Sequence, residues 1–182
     1  MPNACVLLAD GFEEIEAIVV IDVLRRAGID VVTVGTRGTQ VTGSHGVPIE
    51  ADSTLETCAD TNWDAVVLPG GLPGATNLRD DEQVRELLRR QHESGRTVAA
   101  ICAAPIALGR AGVLEGRRAT CYPGFEDQMI GASRSTDRVV ADENIVTSRG
   151  PGTAFDFALM LVARLVDEET AEALRDGMLL ST

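Results

Sequence analysis

Cys102 is the residue whose type and setting could most directly do chemistry in this 182-residue chain. An apolar run, Thr97-Val98-Ala99-Ala100-Ile101, stops at Cys102, and the small residues Ala103 and Ala104 lead into a helical run from Pro105. Strand, tight turn and helix in that order make the setting of a nucleophile elbow, which lifts a reactive side chain above a sheet. Such a turn brings backbone close to backbone, and Ala100, Ala103 and Ala104 supply the small neighbours it needs. The helix that follows would aim free N–H groups and a positive dipole end at the sulfur, favouring the thiolate. The competing reading is a buried structural thiol, because free cysteine behaves as a small hydrophobe.

A reactive thiol needs partners, and in an open parallel sheet these sit at the carboxyl ends of the strands. The first strand leads to Asp10-Gly11-Phe12-Glu13-Glu14-Ile15-Glu16. Glu16, between Ile15 and Ala17, either lies on a solvated helix face or turns inward, where burial would raise its pKa and let it relay protons to the sulfur. Glu13 and Glu14 read as ordinary first-turn acids that complement the helix dipole. Gly70 and Gly71 follow an apolar strand, the setting for backbone N–H groups that hold an anion or oxyanion, although most Gly-Gly pairs are simply turns. Ser148-Arg149-Gly150-Pro151-Gly152-Thr153 is either another anion-facing loop or a helix start, with Arg149 as a possible substrate contact. Cys121-Tyr122-Pro123 ends a further strand, and Cys121 reads as a buried strand residue or as a second thiol near the site. His45, in a Gly/Ser turn, and His92, on a polar helix, lack strand-end context, so a Cys–His dyad has no obvious base; His45 reads as a surface residue that could reach a subunit interface.

The elements that must position these residues alternate. Strands are expected at 4–9, 29–36, 64–68 and 97–101, with two short β segments within 41–50. Helices are expected at 13–27, capped by Gly28, at 80–93, and from Cys102 to about Gly112. The stretch with Pro73 and Gly74 reads as a loop. Beyond it come a strand at 117–121, a short helix at 125–130, a hairpin from 138–141 and 145–147, and helices at 154–165 and 168–174. Strands separated by helices imply a doubly wound, mostly parallel sheet sandwiched by helices, in one domain spanning 1–182.

Composition narrows the class. The formal net charge is −12, from 28 acidic and 16 basic residues, and every basic residue is arginine. A surface so acidic repels nucleic acid and anionic lipid, so neither is expected as a partner. It fits a halophilic source, where salt screens self-repulsion, or a GC-rich genome that favours arginine codons. No apolar run approaches the ~20 residues that span a bilayer. The N-terminus lacks the basic and apolar segments of a signal peptide, so a cytoplasmic protein with reduced thiols is expected. Cys5, Cys58, Cys102 and Cys121 form no CxxC spacing, and no metal site is expected.

Four motifs in order, Ala9-Asp10-Gly11-Phe12-Glu13-Glu14-Ile15-Glu16, Val67-Leu68-Pro69-Gly70-Gly71, Ala99-Ala100-Ile101-Cys102-Ala103-Ala104-Pro105 and Thr147-Ser148-Arg149-Gly150-Pro151-Gly152-Thr153, resemble the ThiJ/PfpI superfamily across essentially the whole chain. Within it they are most similar to the branch of the Parkinson's-disease-associated deglycase and its bacterial relatives. The resemblance implies a flavodoxin-like homodimer with Cys102 as nucleophile, Glu16 as its hydrogen-bonded partner, and the N–H groups of Gly70, Gly71 and Ala103 as an anion hole. It also implies cofactor-independent glyoxalase or deglycase chemistry on methylglyoxal-type α-oxoaldehydes, or on glycated amines and thiols, in carbonyl and oxidative stress defence. The alternative is a redox-responsive sensor or chaperone whose Cys102 becomes a sulfinate; a hydrolase or amidase is weaker, because Ala103 stands where the protease-like branch has histidine. Tyr122 stands where some relatives carry a histidine, which removes a proton carrier and leaves a phenol that could still contact substrate.

Overall fold

The computed structural model describes residues 1–58 and 60–180. In chain order the elements are β1 (Asn3–Leu8), α1 (Glu14–Arg26), β2 (Asp30–Gly35), β3 (Gln40–Thr42), β4 (Pro48–Glu50), β5 (Ser53–Thr54), α2 (Leu55–Cys58), β6 (Ala65–Leu68), α3 (Gly74–Asp80), α4 (Glu82–Glu93), β7 (Thr97–Ile101) and α5 (Pro105–Ala111). There follow β8 (Arg118–Ala119), β9 (Ser133–Arg134), β10 (Val139–Asp142), β11 (Ile145–Ser148), α6 (Ala154–Leu165) and α7 (Glu168–Gly177), with single 3-10 turns at Glu126–Gln128 and Pro151–Thr153.

Seven strands form the central sheet in the order β10-β11-β7-β6-β1-β2-β5. All pairings are parallel except β10 with β11, so the expected doubly wound, mostly parallel flavodoxin-like architecture is the one observed. Alternation along β1 divides the core. Cys5 and Leu7 face a layer built from α3, α4 and α5, while Ala4, Val6 and Leu8 face α1, α6 and α7. Both faces are covered, which is why the strands read as nearly continuous apolar runs. The chain moves outward from β1 to β2 and then crosses to β6 on the other side. The order therefore reverses at β1, and the crevice beyond the carboxyl ends of β1 and β6 is where such sheets bind ligands.

Several expectations change. The Pro73-Gly74 stretch starts α3 rather than a loop. Gly74 is tolerated in that first turn for a tertiary reason: a Cβ there would lie 2.7 Å from the Gly11 carbonyl carbon and the Phe12 nitrogen. The expected helix at 80–93 begins instead at Glu82, capped by Asp81, whose carboxylate accepts from the N–H groups of Gln83 and Val84. The strand expected at 117–121 shrinks to β8, which leaves the main sheet and pairs with β9. The helix expected at 125–130 is a single 3-10 turn, and β5 and α2 are additions too short for periodicity to reveal. Among the described residues no helix is long and apolar enough to cross a membrane.

Candidate functional site

β7 ends at Ile101 and the chain turns sharply at Cys102, whose φ of 64° lies in the left-handed region. A non-glycine residue there costs about 1–3 kcal/mol and persists only where its surroundings hold it. Here the Cys102 N–H donates to the Ser148 carbonyl at 3.0 Å, and its carbonyl accepts the Tyr122 N–H at 2.8 Å. Ser148, at the end of β11, is tied in turn: its Oγ lies 2.7 Å from the Arg138 carbonyl and 2.6 Å from Thr153 Oγ1. The elbow expected at Cys102 is thus clamped from both sides. Cys102 is half-buried, whereas Cys5, Cys58 and Cys121 are buried.

Glu16, in the first turn of α1, is fully buried. Its Oε2 accepts the Gly70 N–H at 2.7 Å, and its Oε1 meets no hydrogen-bond partner at ordinary geometry among the described residues. Gly70 is wedged between acid and thiol: a Cβ there would lie 2.5 Å from Cys102 Cβ and 2.8 Å from Glu16 Oε2. Burial pushes the Glu16 carboxyl up to about 7, against the opposing pull of the Gly70 N–H and a weaker contact with the Cys102 thiol.

Cys102 departs from expectation. Burial first, and the Glu16 charge second, push its thiol up to about 12, although the N–H groups of Gly71 and Ala103 favour the thiolate. The dipole argument fails because α5 begins only at Pro105, and two amides do not offset burial beside a carboxylate. The two groups titrate as a pair. Once Glu16 holds the proton, the repulsion disappears, and its unpartnered Oε1–H becomes a donor to the adjacent sulfur. The expected three-amide hole also changes. The Gly70 N–H is occupied by Glu16, which leaves Gly71 and Ala103 facing the sulfur.

Above the sulfur lies an open cleft of about 310 Å³, with Gly71, Leu72, Ala103, Phe125 and Pro151 among its lining residues. Tyr122 lines it as well, 46% exposed, with its ring near Gly150. Arg149 does not reach the cleft: its guanidinium donates to the Thr136 carbonyl at 3.1 Å. Cys121, beside Tyr122, is buried outside any strand, with its thiol pushed up to about 11 by burial.

The cleft is also lined by residues of the turn between β3 and β4, among them His45, which reads from the sequence as a surface residue. The turn between β3 and β4 folds back on the start of α1, through Gly11 N–H to the Thr42 carbonyl and Ser44 N–H to the Phe12 carbonyl, both 2.8 Å. Glu13, Ser44 and His45 then line the cleft with Cys102. Glu13 and Glu14, read from the sequence as ordinary first-turn acids, are each only 9% exposed. Glu14 Oε1 accepts the His45 N–H at 2.7 Å and its Oε2 lies 2.9 Å from His45 Nδ1, an arrangement that lowers the Glu14 carboxyl to about 2 despite burial. The same partner, with the charge of Glu13, raises the pKa of His45. Ligand atoms of Glu13, Glu14 and His45 lie within 4.8 Å of one another, a spacing that a cation could bridge, but the imidazole–carboxylate hydrogen bond already accounts for it. No spacing rule links a turn at 43–46 to an acid 30 residues earlier, so no local signal could have found this part of the lining. His92, on the polar helix α4, is half-buried with its Nδ1 enclosed.

A parallel α/β sandwich with a clamped cysteine elbow over a buried glutamate at the switch in strand order defines a recognisable class. The DJ-1/PfpI family profile matches residues 2–164, and the chain belongs to that family. The Drosophila melanogaster protein dj-1beta is 42% identical over 182 residues, covering 98% of this chain and 97% of its own. Its crystal structure superposes with a TM-score of 0.95 at 41% identity, over 100% of this chain and 99% of that one. The Caenorhabditis elegans glutathione-independent glyoxalase DJR-1.2 is 37% identical over 175 residues, covering 94% and 93% of the two chains. Toxoplasma gondii DJ-1, solved in an oxidised form, superposes with a TM-score of 0.96 at 36% identity over 100% of both chains.

Proposed function

We propose that this protein is a cysteine-dependent, cofactor-independent glyoxalase or deglycase that acts on methylglyoxal-type α-oxoaldehydes or their early adducts. The observation that carries the reading is the pairing of a clamped, accessible Cys102 with a buried Glu16, the two separated only by the space a Gly70 side chain would fill, and burial pushes the Glu16 carboxyl up to about 7. Family membership supports it, as does the similarity to a glutathione-independent glyoxalase. The Cys102 thiol passes its proton to Glu16 as sulfur adds to the aldehyde carbon, and the oxyanion forms beside the Gly71 and Ala103 amides. Each such donor is commonly worth ~3–4 kcal/mol. The hemithioacetal oxygen takes up the proton. Glu16 then moves the aldehyde-carbon proton to the neighbouring carbon, giving a thioester of the 2-hydroxy acid. Water cleaves the thioester, releasing lactate from methylglyoxal and restoring the thiol. On an early adduct the same chemistry frees the modified amine or thiol.

Lactate formation from methylglyoxal without glutathione tests the reading. Cys102→Ser and Glu16→Gln should each abolish turnover, and a folded wild-type protein with no turnover overturns it. In that event the redox reading takes over. It is favoured by one feature: a neutral Glu16 O–H beside the sulfur would hold a sulfinate by hydrogen bond. Intact mass after peroxide, with and without Glu16→Gln, reads that directly. We further propose a homodimer, supported by half-exposed Ile15 and Ile18 on α1 and Val47 beside the cleft wall. Light scattering on Ile18→Glu, expected to become monomeric, checks it.

A further inference from the structure

We infer that His45, held by Glu14, is the proton carrier of the Cys102 cleft, supplied from the turn between β3 and β4. The inference rests on the glyoxalase reading, because it assigns a step within that reaction. Three observations carry it. His45 lines the same cleft as Cys102 and Tyr122. Its Nδ1 lies 2.9 Å from Glu14 Oε2, so the proton on that nitrogen is held by a carboxylate and Nε2 remains free to exchange one. The dyad is anchored rather than incidental: Glu14 is only 9% exposed and also accepts the His45 backbone N–H, while the His45 side chain is 68% exposed at the cleft mouth. This is the geometry by which a carboxylate fixes the tautomer and orientation of a working imidazole.

The chemistry needs such a group. Moving a proton between adjacent carbons makes an enediol, and both oxygens must change protonation. As Glu16 removes the hydrogen from the sulfur-bearing carbon, negative charge develops on the former ketone oxygen, and imidazolium His45 donates its Nε2 proton there. Glu16 then returns the hydrogen to the second carbon, while the hydroxyl on the first gives its proton back to His45 as the thioester carbonyl forms. Protons and electrons balance over the two steps, and His45 ends as it began. The groups facing His45 are Glu13 and Glu14 from the start of α1, with Cys102 and Tyr122 lining the same cleft and Glu16 beneath the sulfur. The two acids favour the imidazolium form that the first step requires.

The expected pH profile of kcat is bell-shaped. Its acid limb belongs to the Glu16–Cys102 pair and its alkaline limb to loss of the His45 proton. Lactate production from methylglyoxal should be followed from pH 5 to 10 for wild type, His45→Gln, Glu14→Gln, Tyr122→Phe and Cys102→Ser. In His45→Gln, kcat should fall about 10²-fold with little change in KM, and the alkaline limb assigned to the imidazole should vanish. In Glu14→Gln that limb should move to lower pH, a change that a merely structural role would not produce, and this arm serves should His45→Gln misfold. Tyr122→Phe should keep the limb. A His45→Gln enzyme with wild-type kcat and an intact limb overturns the inference while leaving the reading in place. Wild type without turnover, or Cys102→Ser with full turnover, overturns the reading and the inference together.

Discussion

Glu16→Gln should abolish the proposed turnover and yet stabilise the fold at alkaline pH. Raising a carboxyl from its ordinary 4.5 to about 7 means that the folded chain favours the neutral form, a preference of about 3 kcal/mol at 1.36 kcal/mol per pH unit. The folded state therefore holds more protons than the unfolded state between pH 4.5 and 7, and stability falls as pH rises through that window. The contribution is fully present below 4.5 and lost above 7. Glutamine is neutral throughout and keeps an oxygen for the Gly70 N–H. Urea denaturation of wild type and Glu16→Gln at about pH 5 and about pH 8 isolates the effect, since any packing change cancels between the two conditions. The stability of the variant relative to wild type should rise by about 2–3 kcal/mol from the lower pH to the higher. For a chain of this size that corresponds to a relative melting-temperature gain of roughly 5–10 °C. A difference independent of pH, or one that favours wild type more at alkaline pH, would refute the burial argument for Glu16.

Other perturbations test neighbouring parts of the site. Gly70→Ala places a methyl 2.5 Å from Cys102 Cβ and 2.8 Å from Glu16 Oε2, so urea melts should show about 1–3 kcal/mol of destabilisation and activity should be lost through displacement of one of the pair. Thr153→Val removes the hydroxyl that lies 2.6 Å from Ser148 Oγ and accepts the buried Gly150 N–H at 3.1 Å, leaving that N–H unsatisfied; about 1–3 kcal/mol of stability should go, and kcat should fall because Ser148 anchors the Cys102 N–H. Arg149→Ala should leave KM unchanged, because its guanidinium is committed to the Thr136 carbonyl outside the cleft. If the −12 charge reflects a halophilic source, the melting temperature should rise between about 0.1 M and about 2 M sodium chloride; a flat response favours the codon explanation.

Much of the framework was legible because its signals are local. Strand β7 and the small residues after Cys102 lie within a few residues of one another, so the elbow follows from chain order and periodicity, whereas Glu16 reads equally as a solvated acid until the fold buries it. The hairpin of β10 and β11 and the long helix α6 were equally readable. What the sequence could not determine depends on atoms brought together from far along the chain. Gly74 looks like a helix breaker until Gly11 and Phe12 are seen to press against it. The Cys102 thiol looks activated until burial and the Glu16 charge are weighed against two amides. The Gly70 N–H looks free until Glu16 is found to occupy it. His45 looks like a surface residue until the turn at 43–46 folds onto α1 and brings it into the cleft that Cys102 lines. Secondary structure and the placement of Cys102 at an elbow are written in spacing between near neighbours. Protonation, access and partnership are set by burial and long-range approach, and those exist only in the folded chain.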